Sequence, residues 1–227
     1  MMPTRLPGTD PGRQRELMVA LLRDRGITDE RVLAAMNTVP REAFVSGGQQ
    51  TLAYEDRPLP IGSRQTISQP YTVAFMCQAL RVKPTDKVLE VGTGSGYGAA
   101  VLGQLARDVV TIERLPDLAE AAAARLQRLN MTNVRVILGD GTLGVPEDAP
   151  FDGIIVTAGG NHLPQAYVDQ LREGGRIVIP IGDEPHRQRM RRYVKRWGQV
   201  EAEDLGDFLF VPLIGADSWD ESASGDE

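Results

Sequence analysis

The chain has little of what several common functions require. Its 227 residues include one cysteine and two histidines, which excludes an internal disulfide framework and leaves His162 and His186 without metal-ligand spacing. Acidic residues outnumber basic ones by 31 to 25, giving a net charge of −6, so composition provides no general affinity for nucleic acid or anionic membranes. We therefore expect no metal site and no nucleic-acid partner.

Long apolar runs are also missing. No stretch approaches the roughly 20 residues of a membrane-spanning helix, and the first residues lack the apolar core of a secretion signal. A hydrophobic content of 41% with 25% charged residues is ordinary for a globular domain. Composition predicts a cytoplasmic protein with no membrane partner, and the length predicts one domain.

Three parts are expected along the chain. Residues 1–12 hold three prolines and two glycines and predict a flexible arm, although Asp10 and Pro11 also make a plausible helix start. Residues 13–215 predict a single domain that opens with a small helical cap. Residues 216–227 read ADSWDESASGDE and predict an acidic, disordered tail.

The most informative stretch is residues 87–99, which read KVLEVGTGSGYGA. Its apolar start predicts a strand buried on both faces, and a helix should begin near Tyr97. Between them, Gly92, Gly94 and Gly96 allow a sharp turn and let a ligand lie against backbone N–H groups. This pattern is typical of a nucleotide-type cofactor site.

Two carboxylates bear on which cofactor binds there. The glycine loop also satisfies the dinucleotide fingerprint, so an NAD-dependent oxidoreductase is one interpretation. Glu90, two residues before the first glycine, would repel a pyrophosphate and attract an ammonium or sulfonium group, which favours S-adenosylmethionine. Glu113 ends the next predicted strand, where an acid commonly holds ribose hydroxyls in either cofactor class.

Strands and helices alternate through residues 87–181, which predicts a doubly wound parallel sheet. Asp140 stands between two glycines at the end of the third predicted strand, where open α/β sheets bind ligands. Its carboxylate can accept a hydrogen bond from an adenine amino group. The alternative is a turn aspartate.

Residues 54–76 form a second informative stretch, because Ser68-Gln69-Pro70 predicts a helix start. Such a start presents N–H groups and a hydroxyl together, which suits a substrate carboxylate. From spacing alone, Ser68 can also serve only as the helix N-cap.

The basic run at residues 186–197 reads HRQRMRRYVKRW. Its basic and aromatic residues alternate, which suits either a nucleic-acid surface or the solvated face of an edge strand. The acidic balance of the chain favours the edge strand. Residues 205–214 predict the final strand.

Several motifs together resemble the protein-L-isoaspartate O-methyltransferase family. They are YEDRPLPIG at 54–62, QTISQP at 65–70, VLEVGTGSGY at 88–97, GDG at 139–141, PFDGIIVTA at 150–158, GGRIVIPIG at 174–182 and FVPLIG at 210–215. The resemblance implies an α/β fold with a doubly wound, mostly parallel seven-stranded sheet. It also implies methyl transfer from S-adenosylmethionine to the free α-carboxylate of L-isoaspartyl residues in damaged proteins, whose ester then closes to a succinimide.

The resemblance also implies roles for individual residues. Ser68 matches the active-site serine of the family. Cofactor contacts are expected from Glu90, Gly92, Thr93, Gly94, Ser95, Glu113, Asp140, Gly141 and Thr157, and substrate contacts from Thr66, Ile67, Val211 and Leu213. The expected partners are isoaspartyl-containing proteins and peptides, and the expected oligomeric state is a monomer.

The chain departs from the family pattern at three places. Arg64 stands where the family has a glycine, Gly159 and Gly160 where alanine is more common, and Leu209 where a basic residue is common. Arg64 can tune substrate choice or point into solvent. It leaves open a second interpretation, in which the protein methylates an aspartate of one dedicated partner peptide.

Overall fold

The computed structural model describes residues 10–184 and 187–224, and these residues form nine strands and six α-helices. The strands are β1 (Leu59–Gly62), β2 (Gln65–Ile67), β3 (Lys87–Val91), β4 (Asp108–Glu113), β5 (Val134–Leu138), β6 (Phe151–Val156), β7 (Leu171–Glu184), β8 (Arg187–Arg196) and β9 (Gln199–Phe208). The helices are α1 (Pro11–Asp24), α2 (Glu30–Thr38), α3 (Pro70–Leu80), α4 (Tyr97–Leu105), α5 (Pro116–Arg128) and α6 (Gln165–Gln170).

Strands β3 to β9 form one seven-stranded sheet in the order β5-β4-β3-β6-β7-β8-β9. The five strands from β5 to β7 are parallel to their neighbours, whereas β8 and β9 add an antiparallel meander. The prediction of a doubly wound, mostly parallel seven-stranded sheet is confirmed. The last three strands follow one another in chain order, which the sequence left open.

Alternate residues of β3 enter two different cores. Val88 packs in the cluster that contains the helical cap and α4, and Leu89 and Val91 pack in the cluster that contains Tyr167 of α6. Successive side chains of a strand point to opposite faces, so a strand covered by helices on both sides needs apolar residues at consecutive positions. The apolar run of β3 therefore agrees with its position inside the sheet, between β4 and β6.

The helical cap begins earlier than the predicted boundary at residue 13. The Asp10 carboxylate accepts a hydrogen bond from Gly12 N at 3.1 Å and caps α1, with Pro11 in the first turn. The helix start expected at Asp10 and Pro11 is confirmed, and residues 11 and 12 belong to a helix because the cap and proline favour it. The rest of the expected arm, residues 1–9, lies outside the described residues.

The prediction that the basic run forms an edge strand is wrong. Strand β8 lies between β7 and β9, and it pairs across a long antiparallel ladder with an acidic neighbour. Ion pairs join Arg189 to Asp204, Arg192 to Glu203 and Arg196 to Glu201. The edge strand is β9, which ends at Phe208, so the predicted final strand at 205–214 is also wrong in its bounds.

Residues 216–219 do not form a detached tail. Trp219 donates its indole N–H to the carbonyl oxygen of Gly159 at 3.0 Å, and Asp217 N donates to Thr142 Oγ1 at 3.1 Å. Side-chain anchoring of this kind overrides the acidic composition on which the expectation of disorder rested. Of the helices in the described ranges, none is long and apolar enough to cross a membrane.

Candidate active site

A cavity of about 260 Å³ lies at the carboxyl ends of β3, β4 and β6. The chain runs from β3 outward to β5 and then returns to β6 on the other side of β3, which makes this the switch point of the sheet. All but one of the predicted site residues line it: Thr66, Ile67, Ser68, Glu90, Gly92, Thr93, Gly94, Ser95, Glu113, Gly141, Thr157, Val211 and Leu213. The exception is Asp140.

The glycine loop has a backbone that other residues adopt only with strain. Gly92, Gly94 and Gly96 have φ of 93°, 51° and 89°, in the left-handed region that favours glycine. A Cβ on Gly92 would lie 2.4 Å from Thr157 Oγ1, and that hydroxyl donates to Gly92 O at 2.7 Å. The loop therefore packs closely against the end of β6. The N–H groups of its three glycines donate to Ile112 O, Glu113 and Thr93 O, so they are satisfied within the protein and are not left for a ligand as the sequence predicted.

Side chains from neighbouring elements hold this loop in place. Glu113 accepts hydrogen bonds from Gly94 N at 2.9 Å and from Leu115 N at 3.1 Å. Arg125 of α5 donates to Ser95 O at 2.6 Å. These contacts order the loop before a ligand arrives, which lowers the entropic cost of binding.

Glu90 is the more deeply buried of the two cavity carboxyl groups, with 1% of its surface exposed against 7% for Glu113. Burial raises the pKa of its carboxyl to about 8, the hydrogen bond from Thr111 opposes that effect, and the nearby Glu113 adds to it. Thr111 Oγ1 donates to Glu90 Oε2 at 2.6 Å, and the Thr93 hydroxyl lies 2.6 Å from that of Thr111. The two hydroxyls can relay hydrogen bonds toward the ionised carboxylate.

This arrangement fits a cationic cofactor. A carboxylate whose ionisation is opposed by burial is stabilised by a positive ligand group and destabilised by a phosphate. S-adenosylmethionine carries an ammonium and a sulfonium and no phosphate. The glycine loop that lines the cavity and the Glu90 carboxylate together match that chemistry. Across the described ranges, no cluster of three His, Cys, Asp or Glu side chains is placed to hold a metal ion.

Asp140 faces the carboxyl-terminal segment instead of the cavity. Oδ2 accepts from Ala216 N at 2.8 Å, and Oδ1 accepts from Thr142 N at 2.9 Å. Partial burial works to raise the pKa of Asp140, but these hydrogen bonds outweigh it and hold the pKa below the ordinary value. Asp140 lines a second depression that shares Arg114 and Ile214 with the cavity.

Ser68 is not the N-cap of α3, so that interpretation of its spacing is wrong. Gln69 occupies the cap position and makes no side-chain cap hydrogen bond. Instead, Asp56 accepts from Tyr71 N at 2.8 Å, and this carboxylate from outside the helix satisfies a first-turn N–H. Among the described residues, none hydrogen bonds to the Ser68 hydroxyl, which lines the cavity beside Thr66 and Ile67.

The segment with Val211 and Leu213 is fixed to the end of β6 by backbone hydrogen bonds. Gly159 N donates to Val211 O and Leu213 N donates to Gly159 O, both at 2.8 Å. Buried Gln188 accepts from Phe210 N at 2.9 Å, and a Cβ on Gly159 would lie 2.6 Å from Gln188 Nε2. Glycine at 159, where the family favours alanine, thus makes room for Gln188.

Sequence reasoning missed Gln188 and Trp219 as supporting residues. Gln188 accepts a hydrogen bond from Phe210 N in the segment after β9, and Trp219 donates one to Gly159 O, and both partners are distant in the chain. Trp219 had a visible signal, because an indole is unusual in a segment that is otherwise small and acidic. Gln188 had none, since it stands inside the basic run.

The fold and this site define the class of doubly wound S-adenosylmethionine-dependent methyltransferases. The glycine loop, the acid that ends β4 and the switch-point cavity are the features of that class found here. Within the class, the chain belongs to the protein-L-isoaspartate(D-aspartate) O-methyltransferase family, whose model matches residues 13–218.

Relatives and solved structures agree with this assignment. The chain is 53% identical to a protein-L-isoaspartate O-methyltransferase of Methanoculleus marisnigri over 91% of this chain and 94% of the relative. It is 52% identical to protein-L-isoaspartate O-methyltransferase 2 of Pelobacter propionicus over 91% and 92%. A solved protein-L-isoaspartate O-methyltransferase superposes with a TM-score of 0.83 at 30% identity, over 90% of this chain and 67% of that one.

A second solved structure includes a cofactor product. It is a Plasmodium falciparum protein assigned to the same enzyme class and crystallised with S-adenosyl-L-homocysteine. It superposes with a TM-score of 0.78 at 28% identity, over 88% of this chain and 98% of that one.

Proposed function

We propose that this protein transfers a methyl group from S-adenosylmethionine to the free α-carboxylate of L-isoaspartyl residues in damaged proteins, and that Ser68 positions this carboxylate. The observation that carries the role of Ser68 is its hydroxyl, which lines the same cavity as the glycine loop and has no partner among the described residues. A donor left unsatisfied beside a cofactor site is available to a substrate.

The substrate needs no general base. A carboxylic acid with an ordinary pKa of about 4 is ionised at neutral pH, so no proton has to be removed before it attacks. The cofactor, when bound, supplies an electrophilic methyl group on its sulfonium. This chemistry agrees with a cavity whose lining contains no histidine among the described residues.

The protein residues act by positioning. Ser68 donates one hydrogen bond to a carboxylate oxygen and leaves the other oxygen free to face the methyl group at about 3 to 3.5 Å. A stronger electrostatic clamp on the carboxylate would stabilise the ground state more than the transition state, in which its charge is being neutralised. A neutral hydroxyl therefore suits this reaction better than a buried cation.

On the cofactor side, Glu90 compensates the positive charge, and Glu113 and Thr157 keep the glycine loop in its binding conformation. On the substrate side, Thr66, Ile67, Val211 and Leu213 form neutral walls. Walls of this kind select for the shape of a backbone with an extra methylene and not for particular side chains. We expect many isoaspartyl proteins to be substrates.

The protein works as a cytoplasmic monomer in this proposal. The described residues of a single chain bring the glycine loop and Ser68 to the same cavity, which supports catalysis by one copy. Size-exclusion chromatography with light scattering checks this, and a stable dimer would contradict it.

The test is methyl transfer from radiolabelled S-adenosylmethionine to a synthetic isoaspartyl peptide and its aspartyl twin, scored as base-labile volatile methanol. Label on the isoaspartyl peptide alone supports the proposal. Ser68→Ala should lower kcat/KM for the peptide by about tenfold to a hundredfold, the loss typical of one transition-state donor or less, and leave cofactor affinity unchanged.

Ser46→Ala is the matched control, because Ser46 is exposed and its side chain makes no cap hydrogen bond. It should behave as the wild type. Equal losses of cofactor affinity and peptide turnover in Ser68→Ala would contradict a substrate-positioning role for Ser68.

A further inference from the structure

The turn between β1 and β2 contains an arginine in a conformation that arginine rarely adopts. Gly62 pairs with Gln65, so the turn consists of Ser63 and Arg64, which have φ of 50° and 55°. Two-residue hairpin turns with both residues in this region strongly favour Asn-Gly. Glycine at position 64 would relieve the strain, so arginine is retained there at a cost in stability.

This hairpin stands at the active site. Arg64 lines the cavity together with Thr66 and Ser68, and Ile61 Cδ1 lies 3.4 Å from the position of a Cβ on Gly94. The hairpin thus packs against the glycine loop and presents Arg64, an exposed residue, at the cavity edge. Residues in rarely populated backbone conformations cluster at functional sites, and Arg64 is such a residue at the edge of the cavity.

Arg64 is the charged residue of the substrate side. Among the described residues that line that side, the others are neutral: Thr66, Ile67, Ser68, Val211, Pro212 and Leu213. The other charged lining residues follow the parallel strands: Glu90 and Glu113 of β3 and β4 accept hydrogen bonds from Thr111 and Gly94, and Arg114, directly after β4, pairs with Glu221. A substrate peptide therefore meets a positive charge at the edge and neutral walls inside.

We propose that Arg64 is a specificity-determining residue that favours isoaspartyl sites flanked by acidic residues; the inference rests on the proposed function. Being exposed, Arg64 can reach residues on either side of the isoaspartate. Direct binding of the reacting carboxylate by the guanidinium would stabilise the ground state, as argued above for a clamp. Attraction of a flanking carboxylate raises affinity and association rate and leaves the reacting atoms alone.

The experiment compares three isoaspartyl peptides that differ only in their two flanking residues, which are Glu, Gln or Lys. For the wild type, kcat/KM should be about fivefold higher with Glu flanks than with Gln flanks at low ionic strength, a size expected of exposed ion pairs. It should be lower still with Lys flanks. The preference should shrink in 0.5 M salt, where the screening length is only a few ångströms, about 4 Å.

Four variants separate charge from turn geometry. Arg64→Gly should make the three peptides equivalent, Arg64→Lys should keep the preference, and Arg64→Glu should reverse it. Ser63→Gly is the matched control, since it relieves the same kind of strain in the same turn and keeps the charge, and it should retain the preference. Thermal denaturation checks folding, and Arg64→Gly should melt no lower than the wild type.

Two results would overturn the inference and leave the proposed function intact: equal use of the three peptides by the wild type, or the same loss on all three in Arg64→Gly. The second would mean that Arg64 binds the reacting carboxylate. Absence of methylation of every isoaspartyl peptide by the wild type would overturn the proposed function and, with it, this inference.

Discussion

Replacing Glu90 by glutamine should stabilise the protein without cofactor and weaken its binding of S-adenosylmethionine. The carboxyl has an ordinary pKa of 4.5 and a pKa of about 8 when buried in the folded chain. Between those two values the unfolded chain releases the proton and the folded chain keeps it, so rising pH lowers the stability of the wild type. Below 4.5 this effect is absent, and above 8 it is complete.

The magnitude follows from the pKa. At pH 7 the medium is 2.5 pH units above the ordinary pKa of 4.5, and about 1.36 kcal/mol per unit gives a cost of about 3 kcal/mol. Glutamine does not ionise and avoids this cost, but its amide N–H₂ needs partners, which costs about 1 to 2 kcal/mol when they are missing. The net gain of roughly 1 to 2 kcal/mol corresponds to a rise in Tm of about 5 °C.

Cofactor binding should change in the opposite direction. In the wild type, a cationic ligand favours the ionised Glu90, so binding releases a proton and affinity should rise from pH 6 to pH 9. Glu90→Gln should lose at least tenfold in affinity at pH 8 and lose this part of the pH dependence, because truncating one member of a buried charge pair costs 2 kcal/mol or more. Isothermal titration over that pH range measures both effects.

The comparison variant is Glu113→Gln, which alters the other carboxylate of the cavity. Glu113 accepts two backbone hydrogen bonds, so its replacement should lower Tm where Glu90→Gln raises it. A Glu90→Gln protein that is less stable at pH 8 than the wild type, or that binds the cofactor as tightly, would refute the assignment of Glu90 as a buried, cofactor-compensated carboxylate.

Two further predictions concern the frame of the site. Gly92→Ala places a methyl group 2.4 Å from Thr157 Oγ1 at a φ of 93°, so it should lower the free energy of unfolding by about 2 kcal/mol or more and reduce cofactor affinity, measured by calorimetry, more than tenfold. Gly47→Ala, whose methyl group meets open space, is the control. Wild-type cofactor affinity in Gly92→Ala would contradict the loop geometry. Trp219→Phe removes the indole hydrogen bond to Gly159 and should cost about 1 kcal/mol with a raised KM for the cofactor, whereas an unchanged Tm and KM would show that residues 216–219 do not support the site.

Local sequence patterns predicted the centre of the molecule well. The consecutive apolar residues of β3, the three glycines and the start of α4 at Tyr97 were all identified from neighbouring residues. These features depend on backbone preferences and on the burial of both faces of a strand, and both are visible in the order of neighbouring residues. The family motifs then predicted the residues that line the cavity, with Asp140 as the exception.

Errors arose where a residue's partner lies far away in the chain. Spacing alone favoured a helix cap for Ser68, against the family motif that assigned it to the active site, yet Asp56 satisfies the N–H of Tyr71. Strand β8 read as an edge because its basic residues looked solvated, and its partner β9 is too acidic and interrupted to be recognised as a strand. In both cases, the deciding contact is between segments that no periodicity connects.

The sequence by itself determined the class of fold, the cofactor loop and the residues gathered at the switch point, because each depends on local periodicity, glycine or a family motif. Only the tertiary structure decided that the Ser68 hydroxyl has no partner among the described residues and that Asp140 accepts from Ala216 N. It also decided that Gly159 makes room for Gln188 and that Arg64 stands at the cavity edge. These depend on distances between remote segments, which are set when the sheet and its helices pack together and not before.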